Sequence, residues 1–461
     1  MAPVSPIGPM SVSYRRTEAL WDTFTPLMDL LRISGPRPLH GTVSISGSKN
    51  AALPVMAAAL LTDQVVELRN VPDIEDIGAM ALMLEHLGVD VERLSSSSWR
   101  LQARALRAIE VGADLTRRMR GSFLLFGALI ARTGNAAIAK PGGDDIGMRR
   151  VEQHLEGLRL MGAEVEEREG GYVARARRLH GARISLDMPT VTGTENLMMA
   201  AVLAEGITVI SNAAREPHVY DLARCLIGMG AHITGVGTEL IVIEGSGGLL
   251  HGTTHNVTAD YIEAGTYMIA AAATYGDVVV EEMRPSDLRW LFSKLRSAGC
   301  DIVEGANHVR VTCSHLRGVD MTTWPHPGFA TDMQPQFCAL MTQATGTSVI
   351  SEALYENRFR HVEFLQQMGA RIAVDGRSAV INGPARLHGT RMSIPDIRSG
   401  AALVIAGLCA EGTTELDKVF HLERGYDDLE TKLAGLGADI ERLTTDEPGF
   451  EVRDLTGVVG D

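Results

Sequence analysis

The chain is short of the features that mark several classes of protein. Its 461 residues include only five cysteines, Cys225, Cys300, Cys313, Cys338 and Cys409, with neither CxxC pairing nor metal-ligand spacing. A disulfide framework, a zinc ribbon and a redox pair are therefore not expected, and the thiols read as free in a reducing cytosol. The chain also lacks a surplus of positive charge: the formal net charge is -14. Affinity for duplex nucleic acid rests on phosphate neutralisation, so no nucleic-acid partner is expected, and any bound anion must be held by a local cationic pocket. Long apolar runs are absent as well. The most apolar stretch near the start, Ala19 to Leu31, is interrupted by Asp22 and Asp29, so neither a membrane span nor a signal segment is predicted.

What remains is ordinary globular composition, 45% hydrophobic and 22% charged, in a chain long enough for two domains with cores of their own. The proline-rich opening MAPVSPIGPM reads as a loose extension.

The dominant pattern is repetition. HLGVDV, LMGAEV, GMGAHI, SAGCDI, QMGARI and GLGADI recur about every 70 residues, with glycines at Gly88, Gly162, Gly230, Gly299, Gly369 and Gly437. A glycine between an apolar helix end and a β-branched strand predicts a left-handed helix C-cap. A second element recurs in phase, an alanine-rich segment closed by a turn at Asp63, Gly134, Gly206, Gly276, Gly346 or Gly412 and followed by a strand. A third, L-[HR]-G before a strand, marks Gly41, Gly181, Gly252, Gly318 and Gly389, and the second repeat lacks it. Six α/β units from about Leu39 onward follow, grouped as three per domain. An open solenoid is the disfavoured alternative, because its stacked repeats are usually only about 20–45 residues long.

Fourteen residues before the six turns stand Lys49, Arg120, Thr192, Ile262, Asp332 and Arg398. Four charged side chains opening otherwise apolar helices are costly unless paired or used. Helix starts also present free N–H groups and the positive dipole end, so the set predicts an anion site in one cleft.

SGSKNAALP (46–54), PGGDDIG and MRRVEQH (141–154), TENLMMAAVLAEG (194–206), NAAREP (212–217), PHPGFATDMQPQF (325–337), ENRFRHV (356–362), DIRSGAALVIAGL (396–408) and HLERGYDDLETKL (421–433) resemble, in order, the UDP-N-acetylglucosamine enolpyruvyl transferase family. The shikimate-pathway sister family is similar in fold, but SGSKN and PGGxxIG match the nucleotide-sugar branch. The resemblance implies an α/β fold, the two-domain inside-out α/β barrel, with six βαβαββ-like repeats, three per domain. The expected division is an extension at 1–30, one domain of 31–48 plus 258–447 carrying Asp332, Arg358, Arg398 and Arg424, a second of 49–257 carrying the loop with Asp144, and a tail at 448–461.

The implied activity is transfer of the enolpyruvyl group of phosphoenolpyruvate to the 3-hydroxyl of UDP-N-acetylglucosamine by addition and elimination, with release of phosphate. No metal or organic cofactor is implied, and the setting is cytoplasmic peptidoglycan precursor synthesis. Lys49, Arg120, Arg149 and Arg424 fall where the family places cations around phosphate, and Arg358, Arg398 and Arg424 where it grips the carboxylate. Guanidinium forks suit both anions. Asp332 falls at the general base and Asp144 at the general acid, with Lys49 and Arg424 in the same chemistry. The acceptor set is Asn50, Arg120, Arg149, Arg150, Val151, Glu152, Thr190, Val191, Thr192, Asp332 and Leu354, supported by His154 and by Asp396, which is expected to orient the arginines or the base.

The chain departs from the family in three places. Asp144 stands where many members carry the cysteine that fosfomycin alkylates, which implies fosfomycin insensitivity. Met148, Arg149, Arg150, Val151 and Glu152 replace the usual ARPVD or SRPLD. Thr190, Val191, Thr192, Gly193 and Thr194 replace SVGAT. The edited nucleotide half raises an alternative acceptor, UMP at its 3'-hydroxyl, as in nucleoside antibiotic synthesis, with Arg150 on a terminal phosphate. A non-catalytic nucleotide-sugar sensor and a repeat-built scaffold are the alternatives outside catalysis. Oligomeric state is left open.

Overall fold

The computed structural model describes residues 28–445. Among them lie six four-stranded sheets of one topology. In each, an edge strand runs parallel to its neighbour and two further strands follow antiparallel, as in Arg183–Ser185, Glu205–Ser211, Leu240–Ser246 and His232–Thr234. A parallel pair needs a long crossover. Four alanine-rich segments supply it as helices, Leu124–Thr133, Val191–Val202, Gln334–Met341 and Ile397–Cys409, and the other two, Lys49–Ala58 and Tyr261–Ala273, join strands of different sheets; Lys49–Ala58, Leu124–Thr133 and Val191–Val202 lie in one core and the remaining three in the other.

These six helices are buried all round, as their composition requires; every residue of Tyr261–Ala273 is buried. The second helix of a unit is amphipathic instead, and Arg289–Ala298 turns Leu291, Phe292, Leu295 and Ala298 inward. The six helix-end glycines, Gly88 to Gly437, all take positive φ, between 92° and 106°. All five thiols are free, and Cys300 and Cys313 lie 3.4 Å apart.

Two hydrophobic cores result, one around Leu31, Ile33, Val43, Ile45 and 261–440, the other within 51–257. The chain passes between them at 46–48 and 257–260, and the two crossings pair side by side. Ser48 N–H donates to the Thr258 carbonyl at 2.8 Å, and Asp260 N–H to that of Ser46 at 2.9 Å. Gly47 between them has no room for a side chain, since a Cβ would sit 1.6 Å from the Asn70 carbonyl oxygen. We propose these crossings as the domain borders.

The sheets do not follow the repeat order in the sequence. His40–Ser44, read with the first repeat, edges the fourth sheet beside Asp277–Glu281, and Thr253–Asn256 edges the first beside Val65–Arg69. Met28–Gly35 closes the sixth sheet between Gly412–Asp417 and Asp439–Thr445. That strand takes in residues 28–30 of the expected extension, a correction to the border at 30; the rest of the extension and the tail at 448–461 lie outside the described residues. Among the described residues no helix is long and apolar enough to cross a membrane.

Candidate active site

The six aligned positions all stand at helix starts. Lys49 is the first residue of its helix, and Thr192, Ile262 and Arg398 are each second in theirs. Arg120 and Asp332 lie in short turns, Arg120–Phe123 and Thr331–Met333, that run into the other two helices. Three of these helices are capped by side chains, from Thr190, Asp260 and Asp396. Asp260 also accepts the Lys49 N–H at 3.3 Å, which ties two helix starts across the crossings.

One charged group centres on Asp332. Its carboxylate accepts from Arg358 Nη2 at 2.7 Å and from Arg398 Nη2 at 3.0 Å and Nε at 3.2 Å. Both guanidiniums are buried. Burial alone would raise the Asp332 pKa; Arg398, Arg358 and Lys49 outweigh it and hold the carboxyl well below the usual carboxylate range. Burial works against Arg398 as well, and Asp332, Tyr426 and Asp260 together more than offset it, so its pKa is raised. The Arg398 guanidinium stacks 5.5 Å from the Tyr426 ring.

Asp396 acts on Arg398 through the backbone. Its oxygens are taken by Arg398 N–H at 3.1 Å, Ser399 N–H at 3.0 Å and Ser399 Oγ at 2.6 Å. It is a helix N-cap, and it positions Arg398 through the backbone; the arginine side chains are oriented by Asp332.

A second charged group joins the two domains. Asp76, buried at the start of Glu75–Leu87, accepts from Lys49 Nζ at 3.2 Å and from Arg424 Nε at 3.1 Å. Arg424 Nη1 donates at 2.6 Å to Asp144. Burial would raise the Asp144 pKa, but Arg424, Lys49 and Arg149 together lower it. Lys49 thus acts on both Asp144 and Asp332. Asp76 was missed in the sequence, although a buried acid in a helix's first turn was the available signal.

The loop bearing Asp144 is docked against the other domain. Asn357 N–H donates to the Ile146 carbonyl at 3.1 Å, Asn357 Nδ2 to that of Asp145 at 3.2 Å, and Met148 N–H to Glu356 Oε2 at 3.1 Å. Gly147, at φ 124°, permits this, since a Cβ there would lie 2.2 Å from Glu356 Oε2. Glu356 and Asn357 sit in the ENRFRHV motif, but their partners lie about two hundred residues away and left no local signal.

The residues expected on the acceptor side are more dispersed. Arg120 donates to the Arg149 carbonyl, and burial followed by the Arg149 charge lowers its pKa to about 10. Val151 is buried, while Arg150 and Glu152 are exposed. His154 is buried; burial and Arg120 lower its pKa to about 3, and the neutral ring bridges Thr192 Oγ1 and Asn196 Nδ2, each at 3.3 Å. Thr190, Val191 and Thr192 open one helix half-buried, and Asn50 is half-buried beside Lys49. Leu354 N–H donates to Glu352 Oε1 at 2.9 Å. Among the described residues no group of three or more His, Cys, Asp or Glu is placed to hold a metal ion.

A chain with these two clusters has close relatives. The family of EPSP synthase (3-phosphoshikimate 1-carboxyvinyltransferase) matches residues 33–433. A UDP-N-acetylglucosamine 1-carboxyvinyltransferase of Magnetococcus marinus is 48% identical over 421 residues, 90% of this chain and 100% of the relative. The crystal structure of the enolpyruvyl transferase NikO from Streptomyces tendae superposes with TM-score 0.82 at 28% identity, covering 91% of this chain and 100% of that one. EPSP synthase from Acinetobacter baumannii shares the fold at TM-score 0.71 and 19% identity, covering 90% and 100%.

Proposed function

The chain belongs to the EPSP synthase family of 1-carboxyvinyl (enolpyruvyl) transferases, and from that membership we propose that it transfers the enolpyruvyl group of phosphoenolpyruvate to the 3-hydroxyl of UDP-N-acetylglucosamine. The observation that carries the reading is the occupancy of the cations. Arg358 and Arg398 converge on one carboxylate, and Arg424 and Lys49 share another, in a cleft that two domains close. Several donors at fixed positions are what a small carboxylate-phosphate requires.

In this reading Arg358, Arg398 and Arg424 take the substrate carboxylate, and Lys49, Arg120, Arg149 and Arg424 the phosphate. Asp332 removes the acceptor's hydroxyl proton as that oxygen bonds to C2, while Asp144 delivers a proton to C3. In the resulting tetrahedral adduct, loss of a C3 proton and of the C2–O bond to phosphate restores the double bond. Asp332 accepts a proton only once the substrate carboxylate draws Arg358 or Arg398 away, because both guanidiniums keep it ionised. Asp76 is a positioning residue for Lys49 and Arg424, and His154 for the helix start at Thr192.

The acceptor rests on the relative whose whole length is matched at 48% identity. The UMP reading rests on the Arg150 and Thr192 changes, of which Arg150 is exposed and Thr192 half-buried at a helix start. The proposed setting is the cytoplasm, at entry to peptidoglycan precursor synthesis. Phosphate release from phosphoenolpyruvate, with UDP-N-acetylglucosamine and UMP offered separately, tests it. Turnover with the nucleotide sugar supports the reading, and turnover with UMP alone overturns the acceptor.

A further inference from the structure

Asp144 and Arg424 are opposite charges on different domains, and both are largely enclosed, with side-chain exposures of 14% and 15%. Arg424 Nη1 is bound to Asp144 and its Nε to Asp76, so the two inward edges of the guanidinium are already occupied by protein carboxylates. Asp76 is fixed by Lys49 as well and lies in a regular helix. Asp144 lies in a loop beside Gly142, Gly143 and Gly147, so of the two carboxylates it is the one free to leave.

We propose that Asp144 is a resident counter-anion of Arg424, which the incoming phosphoenolpyruvate displaces, and that the displaced carboxylate takes up a solvent proton, the one it then delivers to C3. The inference rests on the enolpyruvyl transfer proposed above.

The charge balance supports the exchange. Asp144 faces Arg424 and His421 from the far domain, Lys49 from its helix start and Arg149 from its own loop. Burial, against the opposing pull of Asp144 and aided by Arg424, keeps His421 below its ordinary pKa, so it is no substitute cation near neutral pH. When a substrate anion neutralises Arg424, Lys49 and Arg149, what remains is burial, which favours the protonated carboxyl. A carboxylate paired to arginine cannot donate a proton, so the same event that fills the site arms the acid. The proton comes from solvent and no oxidant or reductant is involved.

The experiment is calorimetric titration of phosphoenolpyruvate into the acceptor-free protein and into Asp144→Asn, in buffers of differing ionisation enthalpy. We expect the unmodified chain to take up nearly one proton more per ligand than the variant, the ligand's own ionisation being common to both. The variant, relieved of a competing anion, is expected to bind several-fold tighter. Affinity of the unmodified chain is expected to fall with rising pH more steeply than the variant's, by up to about tenfold per pH unit. Equal proton counts with binding intact overturn the proposal while leaving the transferase reading standing; no binding to either chain overturns that reading and this one with it. Should the variant not fold, infrared difference spectra of carbon-13 aspartate-labelled protein decide: a protonated-carboxyl band on ligand addition is expected, and its absence overturns the proposal.

Discussion

Arg424 Nη1 donates to Asp144 across the two domains at 2.6 Å, on a loop that Glu356 and Asn357 hold against the other domain. The usual family cysteine cannot hold an arginine in this way as a neutral thiol. The aspartate therefore puts a carboxylate–guanidinium pair where a thiol would leave Arg424 without that partner.

Asp144→Asn is expected to lower turnover by about 10²–10⁴-fold, the usual worth of a positioned acid, while phosphoenolpyruvate binding stays measurable. Steady-state phosphate release alongside direct binding checks this. Near-normal turnover would place the acid elsewhere.

Fosfomycin is expected to leave activity intact and add no mass to the chain. A carboxylate held by Arg424 is a poor nucleophile toward the epoxide compared with a thiolate. Intact-mass spectrometry after prolonged exposure decides, and an adduct on Asp144 accompanied by inactivation would refute the expectation.

Asp76→Ala leaves Lys49 and Arg424 facing each other without their shared carboxylate. Removal of one partner from such a buried set costs roughly 3–5 kcal/mol of stability. Because an anion can replace what was lost, the thermal shift produced by phosphoenolpyruvate should be larger in the variant than in the unmodified chain. An equal or smaller shift would show that Asp76 does not organise these cations.

Asp396→Ala should cost about 1 kcal/mol, within the range for a lost N-cap, and Asp396→Asn should recover much of it because an amide oxygen can also cap. Denaturant unfolding of both variants separates a capping role from one in chemistry. A turnover defect in the asparagine variant as deep as in the alanine variant would argue for chemistry.

Asp332 gives a pH signature. Its pKa is lowered in the folded chain, so its pairing contributes stability above the unfolded carboxyl value and loses it as pH falls through the folded value. Stability of the unmodified chain should drop more steeply than that of Asp332→Asn below about pH 4, where free aspartate begins to protonate. Parallel acid-unfolding curves would contradict the ion-pair account.

Much was legible in the sequence because it is local. A glycine after an apolar helix end has to relieve a positive φ, and Gly88, Gly162, Gly230, Gly299, Gly369 and Gly437 all do so. Counting back from the turns placed Lys49, Arg120, Thr192, Ile262, Asp332 and Arg398 at helix starts, because the length of a buried helix is fixed by the core it crosses. The nearness of Asp396 to Arg398 in sequence is likewise local: it is a capping relationship, and its oxygens meet the backbone N–H groups of Arg398 and Ser399.

By itself the sequence determined the six units, their buried helices and the residues that open them, since these follow from periodicity and backbone sterics within a few residues. The tertiary structure alone decided which units exchange strands, with Met28–Gly35 closing the last sheet and His40–Ser44 edging the fourth. It also decided that Asp76 bridges Lys49 to Arg424, that Glu356 and Asn357 hold the loop, and that Asp144 rests on Arg424. Each of these contacts links residues far apart in the chain. The charges at both ends could be read from the sequence, but their pairing depends on distances that only the closing of two domains sets.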